Sequence, residues 1–175
     1  MSDVPSHPPV ALDGDMVRVE PYRGSRARLR HLFELAEDSP VQLDEYLNAG
    51  RVLVALRGAD VVGHLQLVET DRPGEVELKN MAVREDLRGR GIGALLVRAA
   101  VDLVTAEHAA ALVVATAAAD IGNLRFYQRQ GFRLRSVERD AFTPATGYPA
   151  DIRIDGIELR DRVWLDRGLV PASRP

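Results

Sequence analysis

The sequence predicts one α+β domain with a mixed, mostly antiparallel sheet of about seven strands and four helices. Residues 51–57, 61–69 and 75–83 are apolar and separated by turn residues, which is typical of an antiparallel meander. Residues 91–108 then carry apolar side chains at helical spacing, and residues 112–116 form a short, wholly apolar strand. A strand, helix and strand in this order predict one parallel crossover, which makes the sheet mixed.

Length and composition limit the classes of protein to which the chain can belong. A chain of 175 residues is long enough for one domain with a proper core and short for two. The formal net charge of −3 argues against nucleic acid as the main partner. No apolar run approaches the roughly 18 residues of a membrane span, and the start of the chain is not signal-like. We therefore expect a cytoplasmic protein with no membrane partner.

Metal and thiol chemistry are not expected from the residue types present. The chain has no cysteine, which removes disulfides, thiolate metal sites and cysteine nucleophiles together. Its histidines show no metal-ligand spacing. They are His7, His31, His64 and His108.

The N-terminal part of the chain predicts a tail, an edge strand and two short helices. Residues 1–15 combine prolines with small or polar side chains and predict a disordered tail, which leaves a single domain over residues 16–170. Alternating apolar and charged residues then predict an edge strand. Ser25, and Ser39 with Pro40 after it, are signals for the starts of two helices.

The C-terminal part predicts the remaining helix, two strands and a long loop. Residues 122–130 have helical spacing, and Gly131 follows where a helix end needs left-handed geometry. Residues 132–139 and 159–165 predict the last strands. Between them, residues 141–156 form a proline- and glycine-containing loop of the length that is usually functional or disordered.

A run rich in glycine and arginine carries the clearest chemical signal. This glycine loop reads Arg88, Gly89, Arg90, Gly91, Ile92 and Gly93. Glycines let the backbone take positive φ and approach a ligand closely. The unpaired N–H groups and the positive end of the helix that follows attract an anion, and the arginines add positive charge. The loop therefore predicts a phosphate-binding site.

The spacing of the glycine loop excludes two common nucleotide motifs and matches a third. A P-loop needs Lys and then Ser or Thr after its last glycine, but Ala94 and Leu95 follow Gly93. The dinucleotide fingerprint needs a G-x-G-x-x-G spacing that is absent. Arg88, Gly91 and Gly93 instead resemble the pyrophosphate-binding motif of the GNAT superfamily, the acetyl-CoA-dependent N-acetyltransferases.

Two further segments support this resemblance. Residues 80–83, just before the glycine loop, look like the end of the central strand of the family. Asn123 and Tyr127, followed by Gly131 and Phe132, are similar to the other recurring segment of the family, in which a Tyr lies one turn after an Asn. Residues four apart share one helical face, so Asn123 and Tyr127 should point into the same crevice.

The resemblance implies a splayed cleft in which the pantetheine of acetyl-CoA lies along the central strand like an added strand. It also implies that a backbone amide near Val83 polarises the acetyl carbonyl group. The residues implied to bind acetyl-CoA are Met81, Ala82, Val83, Arg88, Gly89, Arg90, Gly91, Ile92, Gly93 and Asn123.

Acetyl transfer to an amine needs a base for the amine proton and an acid for the leaving thiolate. The resemblance assigns the acid to Tyr127. For the base we expect Glu77, which strand alternation puts on one face with Glu75 and Lys79. His64, on the adjacent strand, is the second candidate.

The acceptor is less well defined by the sequence. We expect a primary amine of a small molecule, with two alternatives: a protein lysine or N-terminus, or a CoA-binding module without chemistry. The sequence leaves open whether the protein is a homodimer. Residues 141–156 are expected to border the acceptor site. Scattered acidic residues would suit a cationic acceptor. They are Asp38, Asp44, Glu45, Asp140 and Asp151.

Overall fold

The computed structural model describes residues 10–12 and 14–169 and shows an eight-stranded sheet with helices packed on both faces. The strands are β1 (Val10–Leu12), β2 (Asp15–Pro21), β3 (Arg51–Arg57), β4 (Asp60–Glu69), β5 (Glu75–Val83), β6 (Ala111–Ala117), β7 (Arg133–Glu138), β8 (Arg153–Ile154), β9 (Ile157–Glu158) and β10 (Arg162–Gly168). The α-helices are α1 (Arg30–Phe33), α2 (Pro40–Tyr46), α3 (Ile92–Ala106) and α4 (Ile121–Arg129). Short 3-10 turns are Arg26–Leu29, Glu85–Leu87 and Pro144–Thr146.

The sheet is mixed and mostly antiparallel, as the sequence predicts. Its strand order is β1-β2-β3-β4-β5-β6-β10-β7, and the β5–β6 pair is the parallel one in the described sheet. The eighth strand is β1, which the composition assigns to the tail. Val10–Leu12 instead pairs with β2 in an antiparallel register. The rest of the predicted tail, residues 1–9 and 13, lies outside the described residues.

Two apolar cores lie on opposite faces of the sheet. Along β3, Leu53 and Ala55 belong to the core beneath α3, whereas Val52 and Val54 belong to the core beneath α1 and α2. This alternation is the period of two expected of a strand that is covered on both faces. The helix predicted after Ser39 is α2, and the Ser39 side chain caps it by accepting a hydrogen bond from a backbone N–H.

A bulge in β5 changes which side chains share a face. Gln66 of β4 pairs with Asn80 and the next residue pairs with Leu78, so Lys79 is an extra residue in β5. Before the bulge, Leu78 enters the α3 core; after it, Met81 packs on that same core, and Asn80 bonds toward α1 and α2. The predicted alternation along this strand therefore ends at Lys79.

The centre of the sheet splays apart at one end, as the family resemblance implies. β5 and β6 pair only from Glu75–Leu78 to Ala111–Val114. Beyond these pairs the two strands separate, and β6 continues to pair only with β10 on its other side. The separation leaves the outer half of β5 open toward β6 and creates a cleft in the sheet.

The long loop at 141–156 has its own local structure. Thr143 caps the turn that follows it, and the Ser39 hydroxyl donates a 2.8 Å hydrogen bond to the Gly147 carbonyl oxygen. The small β8–β9 hairpin extends the loop to Glu158. The last strand accordingly begins at Arg162, three residues later than predicted.

Candidate active site

A cleft of about 960 Å³ runs from the glycine loop, past the splayed strands, to the loop at 141–156. The predicted site residues that line it are Glu77, Met81, Ala82, Val83, Arg88, Gly89, Gly91, Ile92, Gly93, Asn123 and Tyr127. Arg90 is exposed and lies outside that lining. The fold therefore gathers residues that are 50 positions apart in the chain around one cavity.

The glycine loop has the geometry of an anion cradle. Gly89 and Gly91 have φ of 74° and 86°, and a side-chain Cβ at either position would have no neighbour within 4 Å. The first hydrogen bond of α3 runs from the Leu95 N–H to the Gly91 carbonyl oxygen, so the amides of the first helical turn stay available. This open space and these amides fit a pyrophosphate group.

Gly93 has a different role from the two glycines before it. A Cβ at Gly93 would lie 3.3 Å from the Phe126 ring of α4. Glycine at this position therefore lets α3 approach α4 closely. Arg88, at the start of the loop, donates from Nε to the Val83 carbonyl oxygen at 3.2 Å, which ties the glycine loop to the end of β5.

Tyr127 lies in α4 with its ring fixed between two aromatic neighbours. Its ring centroid is 5.2 Å from that of Phe126 and 5.6 Å from that of Phe132, both in edge-to-face contact. Burial, with a smaller effect of the Asp120 carboxylate, raises the pKa of the Tyr127 hydroxyl. The hydroxyl therefore keeps its proton at neutral pH, as a general acid must.

Asp120 is a site residue that our sequence prediction missed. Its carboxylate accepts 2.8 Å hydrogen bonds from both the backbone N–H and the side-chain amide of Asn123. Asp120, rather than Asn123, thus caps α4, and the Asn123 amide nitrogen is already bonded within the protein. An acidic residue three positions before Asn123 was the available sequence signal for this cap.

Glu77 lines the cleft beside a positive charge. Its carboxylate is 3.4 Å from the Lys79 ammonium group, and its side chain is 14% exposed. Lys79 also lies over the Tyr46 ring, 5.2 Å from its centroid. Glu75, on the same side of the strand, instead forms a 2.8 Å ion pair with Arg135 and does not line the cleft.

His64 is buried beneath the cleft rather than exposed to it. Its Nε2 lies 2.9 Å from the Asn80 side-chain oxygen, and its ring stacks at 4.1 Å on Phe33. Burial lowers the pKa of His64 to about 3, although the Asn80 bond opposes the shift. The imidazole is therefore neutral. A base for the acceptor would have to line the cleft, and His64 does not.

The end of the cleft next to α1 and α2 holds a group of polar residues that the sequence did not reveal. Asn80 donates from Nδ2 to the Tyr46 hydroxyl at 2.9 Å, and Tyr46 donates in turn to Glu37 at 3.1 Å. Tyr148, from the loop at 141–156, lines the same end, and burial and the Glu37 charge raise the pKa of Tyr148 to about 12. No local motif connects these residues, which come together only through the fold.

Comparison with known proteins identifies the family. The sequence pattern described as the Acetyltransferase (GNAT) family matches residues 20–132. The chain belongs to the GNAT family of acetyltransferases. It is 34% identical over 152 residues to the uncharacterized N-acetyltransferase YvbK of Bacillus subtilis (strain 168), covering 86% of this chain and 96% of that one.

Solved structures of GNAT relatives agree with the fold and the cofactor. An acetyltransferase of Bacillus subtilis in complex with CoA has 34% identity and a TM-score of 0.80, over 88% of this chain and 99% of that one. A GNAT acetyltransferase from Elizabethkingia anophelis with acetyl-CoA bound has 28% identity and a TM-score of 0.80, over 87% and 98%. This GNAT protein is accordingly an N-acetyltransferase that uses acetyl-CoA.

No group of three or more His, Asp or Glu side chains in residues 10–12 and 14–169 is arranged to hold a metal ion. None of the helices in that part of the chain is both long and apolar enough to cross a membrane.

Proposed function

We propose that this enzyme transfers the acetyl group of acetyl-CoA directly to a primary amine of a small molecule. The observation that carries the proposal is the form of the end of the cleft next to α1 and α2, which we call the acceptor end. The Ser39–Gly147 hydrogen bond fixes the loop at 141–156 across that end, and Tyr148 is buried there. A pocket that is covered by a fixed loop and lined by aromatic side chains suits a compact amine better than an extended protein segment.

Transfer is direct in this proposal because the chain offers no cysteine for a covalent acyl intermediate. The amine nitrogen forms a bond to the thioester carbonyl carbon as the carbon–sulfur bond breaks. Tyr127 donates its proton to the leaving sulfur, and the proton that the attacking nitrogen loses restores the phenol. The position of Tyr127 in the cleft lining and its fixed ring support that role. The backbone amide near Val83 polarises the carbonyl oxygen.

Glu77 is the proposed acceptor of the ammonium proton. It lines the cleft on the strand that leads into the glycine loop, and its ion pair with Lys79 orients the carboxylate. If Glu77 is the base, the activity of Glu77→Gln should recover as pH rises and more free amine is present. A pH-independent loss in the kcat profile of Glu77→Gln would instead make Glu77 a positioning residue.

An amine panel tests the proposed function. Thiol release from acetyl-CoA would be followed with short alkyl monoamines and diamines, a lysine-containing peptide and a peptide with a free N-terminus, and the products weighed by mass spectrometry. We expect the highest kcat/KM with a small amine. Turnover of the peptides alone would refute the small-molecule proposal and favour a protein acetyltransferase.

The cytoplasmic location and the homodimer remain proposals. Light scattering coupled to size-exclusion chromatography would measure the mass of the assembly, and a homodimer would have twice the 19.2 kDa of one copy.

A further inference from the structure

Glu37 has an unusual environment for a carboxylate in the cleft. It is half-buried between α1 and α2, where its oxygens accept hydrogen bonds from the Ser39 backbone N–H at 3.0 Å and from the Tyr46 hydroxyl at 3.1 Å. Its negative charge also contributes to the raised pKa of the Tyr148 hydroxyl. All of these neighbours are neutral, and Glu37 forms no ion pair with any arginine, lysine or histidine of residues 10–12 and 14–169.

The other acidic residues of the cleft differ from Glu37. Four acidic side chains line the cleft, and Glu77 is paired with Lys79. Asp120 caps α4, and Asp38 is exposed to water. Asp120 is also partly buried and has no cationic side chain as a partner, but it is bonded at the positive end of α4. Of these four carboxylates, Glu37 is the partly desolvated one that neither a cationic side chain nor the start of α4 balances, and such a charge gains from a cationic ligand.

The surrounding network holds the Glu37 carboxylate in place. Tyr46, which donates to it, is itself held by Asn80, and Asn80 is held by the buried His64. Burial raises the pKa of Tyr46, so its hydroxyl stays a proton donor to Glu37. Because each side chain in this series of hydrogen bonds is held by the next, the Glu37 carboxylate is preorganised for a ligand in the cleft.

We propose that Glu37 binds a second ammonium group of the acceptor, one that is not acetylated, so that the preferred acceptor is a diamine. This inference rests on the proposed function. A carboxylate stabilises the protonated form of an amine that it binds. An amine held by Glu37 would thus stay protonated and could not attack the thioester, whereas a second amine on the same molecule could be released as the neutral nucleophile.

The aromatic side chains of the cleft are consistent with such an acceptor, and two of them, Tyr46 and Tyr148, interact with Glu37. Tyr46, Tyr148, Phe142 and Trp164 line the same cleft, and the rings of Phe142 and Tyr148 meet edge to face at 4.9 Å. Lys79 already lies over the Tyr46 ring and Arg162 over the Phe142 ring, so these rings are suited to contact the methylene chain between two amines. The Glu37 carboxylate is then the group that would bind the ammonium of such an acceptor, with the rings beside its methylene chain.

The test compares 1,4-diaminobutane with butylamine, which has the same chain length and only one amine. The wild-type enzyme should have the higher kcat/KM for the diamine. In Glu37→Gln the ratio of the two kcat/KM values should fall by about 10- to 100-fold, since a hydrogen bond to a charged group is lost. Glu34→Gln, an equal charge change on the exposed surface beside Arg30, should keep the wild-type ratio.

Three results would overturn the assignment of Glu37. They are a wild-type enzyme without preference for the diamine, an unchanged ratio in Glu37→Gln, and an equal loss for both amines, which would make Glu37 a base or a structural residue. Absence of turnover with every amine would refute the proposed function instead. Calorimetric titration of 1,4-diaminobutane into the CoA-bound protein then decides alone: weaker binding in Glu37→Gln supports the assignment, and undiminished affinity or no wild-type binding overturns it.

Discussion

At the scale of single residues, the chemistry of the site depends on how burial sets protonation. Tyr127 and His64 are both buried, and burial disfavours the charged form of each. For Tyr127 the result is a phenol that keeps its proton at neutral pH. For His64 the result is a neutral imidazole that anchors Asn80 and through it the acceptor end of the cleft.

The role of Tyr127 can be tested by removing only its hydroxyl. Tyr127→Phe keeps the contacts with Phe126 and Phe132. General acid catalysis contributes about 10²- to 10⁴-fold in rate, so kcat should fall by that factor while the Kd for acetyl-CoA stays near the wild-type value. Full kcat in Tyr127→Phe, under conditions where chemistry limits the rate, would reduce Tyr127 to a packing residue.

The buried His64 should make stability depend on pH. Folding lowers the pKa of His64 to about 3, while the pKa of an unfolded histidine is about 6.5. The unfolded chain thus binds the extra proton between these values. The contribution of a neutral His64 is complete above the unfolded pKa and is lost as pH falls toward the folded pKa.

Urea unfolding across this pH range measures the effect. As pH falls within this window, the unfolding free energy of the wild type should decrease more steeply than that of His64→Gln. The two slopes should differ by about 1.4 kcal/mol per pH unit. His108→Gln, at an exposed histidine, should follow the wild-type slope. Parallel curves for the wild type and His64→Gln would contradict a neutral buried His64.

At the scale of elements, the sequence predicted regular structure well and long-range structure poorly. The strands of the meander, the Ser39 cap of α2 and the glycine loop follow from local patterns, and the structure has them. The bulge at Lys79 depends on pairing with β4, and the strand Val10–Leu12 depends on an available edge of β2. Neither has a local signal, because both arise from contacts with another strand.

The β8–β9 hairpin offers a test of the acceptor end. Ile152, Arg153 and Ile154 line the cleft, whereas the Thr143–Thr146 turn is tied to the loop base through its own hydrogen bonds. Replacing residues 149–158 with a short glycine-serine connection should change the KM for the amine and leave the acetyl-CoA Kd unchanged. An identical amine profile would show that the hairpin is only a surface excursion.

At the scale of the whole molecule, the site is a consequence of the split sheet. The parallel pairing of β5 with β6 ends at Leu78, and the opening beyond it joins the glycine loop on one side to the Glu37 end on the other. The sequence could predict the glycine-loop half, since its residues are contiguous. The Glu37 half combines α1, α2, β5 and the loop at 141–156, so only the assembled fold brings it together.

The most direct test of this account is calorimetry of acetyl-CoA binding to Gly91→Asp. The new carboxylate would occupy the open space above the loop, where we propose that the pyrophosphate lies. Gly58→Asp is the matched control, because Gly58 also has positive φ (60°) and open space but lies in the β3–β4 turn. We predict at least about tenfold weaker binding in Gly91→Asp alone. Undiminished affinity in a folded Gly91→Asp protein would contradict the proposed cofactor site.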